Sequence, residues 1–183
     1  MSEKRKGPQK RQIDRTVYLI GFMGSGKSTV SRQLAEYLSV KQLEMDDILT
    51  AQAGKSITRI FEEDGEEAFR RMESELIRRI GSEEPAVVSC GGGVVLRREN
   101  AENMKKNGIV VFLSAEPQTI YERVKNSTHR PVLNGHMNVE YIAQLMEKRA
   151  PFYEAAADIT VFVDNKSSAQ VAKEILKRIS QAG

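Results

Sequence analysis

The chain alternates between two hydrophobic periods. Five short runs, Thr16–Ile20, Gln42–Met45, Ala86–Cys90, Ile109–Leu113 and Ile159–Val163, are mostly apolar and rich in β-branched residues. Runs of this kind read as strands buried on both faces, because a strand with one wet face would alternate apolar and polar positions. Between them the apolar residues fall three or four apart: Val30, Leu34 and Leu38; Phe69, Met72, Leu76 and Ile80; Val139, Ile142, Leu145 and Met146; Val171, Ile175, Leu176 and Ile179. That spacing lines one face of a helix. Strand and helix in alternation predict an α/β domain, a parallel sheet with helices on both faces.

Composition narrows the picture. The 183 residues, 40% hydrophobic and 29% charged, fit one domain with a real core, packed mainly by aliphatic side chains because aromatics are only 6%. No apolar run approaches the roughly 20 residues that cross a bilayer, and the N-terminus has no apolar signal region. The single cysteine, Cys90, leaves no internal disulfide framework and suits a reducing cytosol. The expectation is a cytoplasmic protein without membrane attachment.

The formal charge of +3 raises the question of nucleic acid. Much of the excess sits in residues 1–15, where Lys4, Arg5, Lys6, Lys10, Arg11 and Arg15 face only Glu3 and Asp14. That stretch is poor in apolar residues and reads as a disordered basic tail ahead of a single domain, 16–183, with no nucleic-acid partner expected. No coiled-coil seam is evident, so a monomer is expected.

The strongest chemical signal is Gly21-Phe22-Met23-Gly24-Ser25-Gly26-Lys27-Ser28, a G-x-x-x-x-G-K-[ST] loop between a predicted strand and a predicted helix. Glycines let backbone N–H groups close around phosphate oxygens, and the helix start behind them adds partial positive charge. Lys27 is expected to bridge the β- and γ-phosphates and Ser28 to ligate Mg²⁺, with Gly24, Ser25, Gly26 and Thr29 completing the nucleotide cradle. A guanine-reading N-K-x-D is absent; Asn165-Lys166-Ser167-Ser168 is the nearest approach. No strand ends in a simple Walker B carboxylate, since the third ends Val87-Val88-Ser89-Cys90-Gly91. Both absences favour small-metabolite kinases, where a small polar group near the third strand can help hold the metal's waters. Residues 47–80 then read as an insertion for the acceptor, and the polar stretch 125–137, broken by Pro131 and Gly135, as a closing lid, with ordinary surface loops as the alternative.

Further motifs give a specific resemblance. Leu43-Glu44-Met45-Asp46 with Gly54-Lys55-Ser56-Ile57, then Ile60-Phe61, Gly65-Glu66, Phe69-Arg70 and Glu73, then Gly91-Gly92-Gly93, Arg130-Pro131-Val132-Leu133 and Arg149-Ala150-Pro151-Phe152-Tyr153 follow the phosphate loop in order. Together they resemble the shikimate kinases over essentially residues 16–180. The resemblance implies a nucleoside-monophosphate-kinase-like fold with five parallel strands ordered 2-3-1-4-5, ATP and Mg²⁺ as cosubstrates, and phosphorylation of the shikimate 3-hydroxyl. It implies that Asp46 binds the acceptor hydroxyls and orients or accepts the proton of the attacking one. Arg70 and Arg149 would grip the carboxylate, Gly91, Gly92 and Gly93 would form the floor, and Arg130 would reach the transferring phosphate from the lid. Guanidinium forks suit a carboxylate, and a lid arginine suits a reaction governed by positioning and charge.

Glu44 departs from the family's usual Asp-x-Asp, whose first Asp supports the metal's water shell; the longer side chain can keep that role through a water or shift the ion preference. Arg123 and Asp164-Asn165-Lys166 are adenine-side candidates by position. Other roles are open for several of these residues. Asp46 or, better placed, Asp47 could cap the following helix. Arg70 could pair on the surface with Glu66 or Glu73, while Arg71, Arg78 and Arg79 read as solvated. His129 and His136 read as surface residues and Cys90 as a small buried hydrophobe. A gluconate-type sugar-acid kinase and a nucleotide-gated binding module are the competing functions.

Overall fold

The computed structural model describes residues 13–127, 133 and 135–181. Most of the basic tail, and Arg130 and His129 of the expected lid, lie outside the described residues. Strands β1 (Thr16–Ile20), β2 (Lys41–Glu44), β3 (Ala86–Ser89), β4 (Gly108–Ser114) and β5 (Ile159–Phe162) form one sheet. Its order is β2-β3-β1-β4-β5 with every neighbouring pair parallel. That is the order implied by the family resemblance.

The continuous apolar strands are explained by two covered faces. Tyr18 and Ile20 of β1, with Val88 and Val110, pack on one side against helices α2 (Met45–Ala53), α4 (Glu66–Ile80), α5 (Arg98–Asn107) and α7 (Val139–Ala156). Val17 and Leu19, alternating with them, pack on the other side against α1 (Lys27–Leu38) and α8 (Ser168–Gln181). Truncating Leu19, fully buried in the central strand, to Ala should cost about 3 kcal/mol, the usual loss for a core leucine. A third cluster joins Phe22 of the phosphate loop to α6 (Pro117–Val124), α7 and Leu133. The short helix α3 (Ile57–Glu63) completes the acceptor-side insertion.

Besides shifts of one residue at the ends of β3, β4 and β5, three details differ from the sequence expectation. The second strand begins and ends one residue earlier, and Met45 already opens α2, so Asp46 and Asp47 lie in its first turn rather than capping it; Glu44 holds the cap position without a side-chain cap bond. Carboxylates there still face the positive end of the helix dipole. Helices α5 and α6 gave no clear apolar stripe because α5 buries only Asn100 and Met104 and α6 only Ile120 and Val124. Finally, residues 13–15 lead into the domain: Ile13 packs on the second core and Arg15 donates to the Gly108 carbonyl at 2.7 Å.

Because all strands are parallel, their C-terminal ends share one edge, where crevices in such sheets bind ligands. The phosphate loop follows β1, Asp46 follows β2 and the glycine triplet follows β3.

Candidate active site

The loop after β1 is held by Ser25 N–H to Phe22 O at 3.1 Å and passes into α1 with Val30 N–H to Gly26 O at 3.0 Å. Gly24 and Gly26 sit at φ +78° and +95°, a left-handed conformation that L side chains rarely adopt. Lys27 curls back over the loop, Nζ donating to Gly21 O at 2.8 Å and Phe22 O at 3.0 Å. The buried Ser25 Oγ has no hydrogen-bond partner among the described residues. A cavity of about 240 Å³ opens above these groups, bordered by Ser28, Thr29, Glu44 and Ser89.

Ser28 and Ser89 bring their hydroxyls to 3.5 Å of each other, and the Glu44 carboxylate hydrogen-bonds both. Burial raises Glu44's pKa above the usual carboxylate range; the two serines pull it back, and Asp46 and Asp47 push it up again. Oxygen donors of this kind, beside a phosphate loop, suit a hard cation that keeps several waters. Among the described residues no group of three or more His, Cys, Asp or Glu could hold a metal. An ion of that kind would be held by the Ser28 hydroxyl and the Glu44 carboxylate.

A larger cavity of about 580 Å³ lies next to the first and shares Met23, Asp46 and Gly92 with it. Arg70 enters from α4 and Arg149 from α7, each 8% exposed. The surface-pair alternative for Arg70 is thereby removed, whereas Arg71, Arg78 and Arg79 are exposed as expected. Arg70 donates to Glu73 Oε2 at 2.7 Å and to Glu66 Oε1 at 3.0 Å. Burial opposes its charge, but Glu73 and Glu66 more than offset this and hold its pKa up. Glu73 is fully buried and its Oε1 has no hydrogen-bond partner among the described residues. Burial lifts Glu73's pKa, Arg70 lowers it, and Asp46 adds to the rise. Arg149 lies over the Phe22 ring, 5.7 Å from its centroid, a favourable cation–π contact.

The glycine triplet makes this crowding possible. A Cβ on Gly93 would land on the Arg70 guanidinium, and one on Gly91 would stand 2.6 Å from Glu73 Oε1 and 3.3 Å from Asp46 Oδ1. Side chains lining this cavity therefore lie directly on backbone.

Behind the phosphate loop, Arg123 donates to Gly24 O at 3.0 Å and borders a third cavity of about 220 Å³ with Thr29 and Lys166. Asp164 accepts from Glu116 N–H at 3.0 Å and so ties the end of β5 to the start of α6. Burial opposes its charge, but hydrogen bonds from Thr119 and from the Glu116 N–H outweigh that and hold its pKa low.

A family model described as "Shikimate kinase" matches residues 23–180. Shikimate kinase of Persephonella marina is 43% identical over 165 residues, covering 90% of this chain and 99% of the relative. The chain belongs to the shikimate kinase family. Shikimate kinase of Symbiobacterium thermophilum is 38% identical over 169 residues, 91% of this chain and 97% of that one. Among solved structures, shikimate kinase from Acinetobacter baumannii in complex with shikimate superposes with a TM-score of 0.88 at 32% identity, covering 92% of this chain and 94% of that one. A gluconokinase from Sinorhizobium meliloti reaches a TM-score of 0.59 at 22% identity over 94% of this chain and 95% of that one, a likeness of fold alone.

Within this family member the structure brings together Lys27, Ser28, Glu44, Asp46, Arg70, Gly91, Gly92, Gly93 and Arg149 around two joined cavities. Sequence reading did not single out Ser89, although it asked for a small polar group at the third strand. It named Glu73 within the family motif and as one alternative surface partner of Arg70; the signal against that alternative is its place between Phe69 and Leu76 on the buried stripe of α4.

Proposed function

We propose that this chain transfers the γ-phosphoryl group of ATP to the 3-hydroxyl of shikimate, releasing ADP and shikimate 3-phosphate. The observation that carries the reading is the meeting of two cavities at Asp46 and Gly92, one built on a phosphate loop and the other holding two buried guanidinium groups. Backbone N–H groups of Gly24, Ser25 and Gly26 would cradle the phosphates, and Lys27 would swing from its loop carbonyls to the β- and γ-oxygens. Ser28 and Glu44 would hold Mg²⁺, which when bound neutralises charge on those oxygens.

On the acceptor side, Arg70 and Arg149 would take the carboxylate, and Gly91, Gly92 and Gly93 would form the bed of the ring. Asp46 would accept a hydrogen bond from the attacking hydroxyl and aim it at the γ-phosphorus. As the P–O bond to ADP breaks and the new one forms, the hydroxyl proton passes to Asp46 or to water. Arg123, with Thr29 and Lys166, would border the adenine end. Arg130, by the family resemblance, would come over the transferring phosphate; an arginine there contributes about 10³–10⁵ in rate in kinases and GTPases. No helix among the described residues is long and apolar enough to cross a membrane, and we place the enzyme in the cytoplasm as a monomer whose site one chain completes.

The test is ADP release with Mg·ATP and shikimate, beside gluconate and a control without acceptor. Turnover that depends on shikimate is expected; turnover with gluconate alone, or ATP binding without turnover, would overturn the reading.

A further inference from the structure

Tyr153, the last residue of the α7 motif, has no part in the reaction above, yet it stands where the two ends of the site join. Its hydroxyl donates to the carbonyl of Gly92, the glycine that both cavities share. The Arg149 guanidinium, one helical turn earlier, lies beside the same oxygen and interacts with it electrostatically. The ring stacks on Phe112 at the end of β4, centroids 5.0 Å apart and planes 10° from parallel. Arg149 in turn lies on Phe22 of the phosphate loop. One buried phenol thus ties the acceptor-side arginine to the glycine bed.

Packing alone does not call for that hydroxyl. The ring is 2% exposed and belongs to the main core, where a phenylalanine would fill the same space without a polar group to satisfy. A phenol offers one donor and an acceptor oxygen, and here both are engaged by groups that face the acceptor cavity. Burial pushes its pKa up to about 12, so it remains a neutral donor at any working pH. A guanidinium whose rotamer is already fixed gives up less freedom when a carboxylate arrives.

We infer that Tyr153 is a positioning residue: its hydroxyl locks the Arg149 guanidinium and the Gly92 carbonyl in one register, and so sets affinity at the carboxylate end of the acceptor. The inference rests on the assignment of Arg149 as a carboxylate clamp.

Steady-state kinetics of the full-length Tyr153→Phe protein test it, with KM for shikimate, KM for ATP, kcat and the thermal midpoint measured together. The acceptor KM is expected to rise about tenfold, the scale of one hydrogen bond to a charged group. The KM for ATP and kcat should stay within about twofold, because the phosphate loop, residues 21–28, loses no bond. A lowered midpoint with an unchanged acceptor KM would mean a structural hydroxyl only and would overturn the proposal. So would equal losses in both KM values and kcat.

If the Phe protein does not fold, Tyr153→Met, which fills an irregular gap without a donor, carries the same test. Arg149→Ala separates the two readings. An unchanged acceptor KM in that variant sinks the clamp itself, whereas a raised one beside a normal Tyr153→Phe sinks only the positioning role. In the double variant Tyr153→Phe should add nothing to Arg149→Ala, since it acts through that side chain.

Discussion

The phosphate end and the acceptor end of the crevice are built by opposite means. At the phosphate end, consecutive residues 21–28 supply glycines, one lysine and one hydroxyl, and Lys27 rests on neutral carbonyls of its own loop. At the acceptor end, α2, α4, the triplet after β3, and α7 each contribute a piece. There Arg70 rests on a fully buried carboxylate, Glu73. The difference teaches where function and stability are entangled. Lys27 is a donor resting on two loop carbonyls, whereas removing Arg70 leaves Glu73 buried without its cation, and removing Glu73 leaves Arg70 with the exposed Glu66 alone.

The sharpest test of that contrast is Lys27→Met. Turnover should fall by about a thousandfold or more, the loss expected when a preorganised charge on the transferring group is removed. The urea midpoint should hardly move. Substantial turnover in this variant, or a protein that unfolds, would break the comparison at its phosphate end.

The converse holds for Glu73→Ala, which should lower unfolding free energy by about 3 kcal/mol, the low end for half of a buried ion pair. Equilibrium urea unfolding measures it, and a loss no larger than that of an exposed pair such as Arg59–Glu63 would show that the pair is not buried in solution. Arg149→Ala lies between the two. Its guanidinium rests on an aromatic ring and a phenol, so its loss should mainly raise the acceptor KM, by roughly 10- to 100-fold for a charge-assisted contact. A normal acceptor KM would remove Arg149 from the clamp.

The same contrast explains what the sequence made legible. The phosphate loop was readable because its chemistry is contiguous and its flanks change period from strand to helix. The sheet order followed from the family resemblance, and both faces of β1 were readable because Val17, Tyr18, Leu19 and Ile20 admit no wet side. Polar residues with two plausible environments resisted reading. Glu73 and Arg70 sit at a spacing that on an isolated helix means a surface pair; only the packing of α4 beneath Gly91 and Gly93 buries them. Asp46 and Asp47 look like caps, yet the chain enters α2 directly from β2. Ser89 became informative once β3 was placed beside β2 and the start of α1, which brought its hydroxyl to Ser28 and Glu44.

The smallest effect expected concerns which force governs Glu73. Burial lifts its pKa above the ordinary 4.5 while Arg70 pulls it down, and burial is the larger. A carboxyl whose folded pKa is raised binds its proton more tightly in the native state. It contributes stability that is fully present below pH 4.5 and is lost as pH rises through the folded value. Glu73→Gln cannot titrate there, and groups with no electrostatic contact to Glu73 titrate alike in both proteins, so the comparison reads Glu73 together with the carboxylate coupled to it, Asp46. The stability of the wild type relative to Glu73→Gln should therefore decline as pH rises above 4.5, followed by urea unfolding up to neutral pH. If the wild type instead gains on the Gln variant over that range, the Arg70 charge dominates the site. The acceptor end would then be held by a true ion pair, and its contrast with the loop carbonyls that hold Lys27 would be larger still.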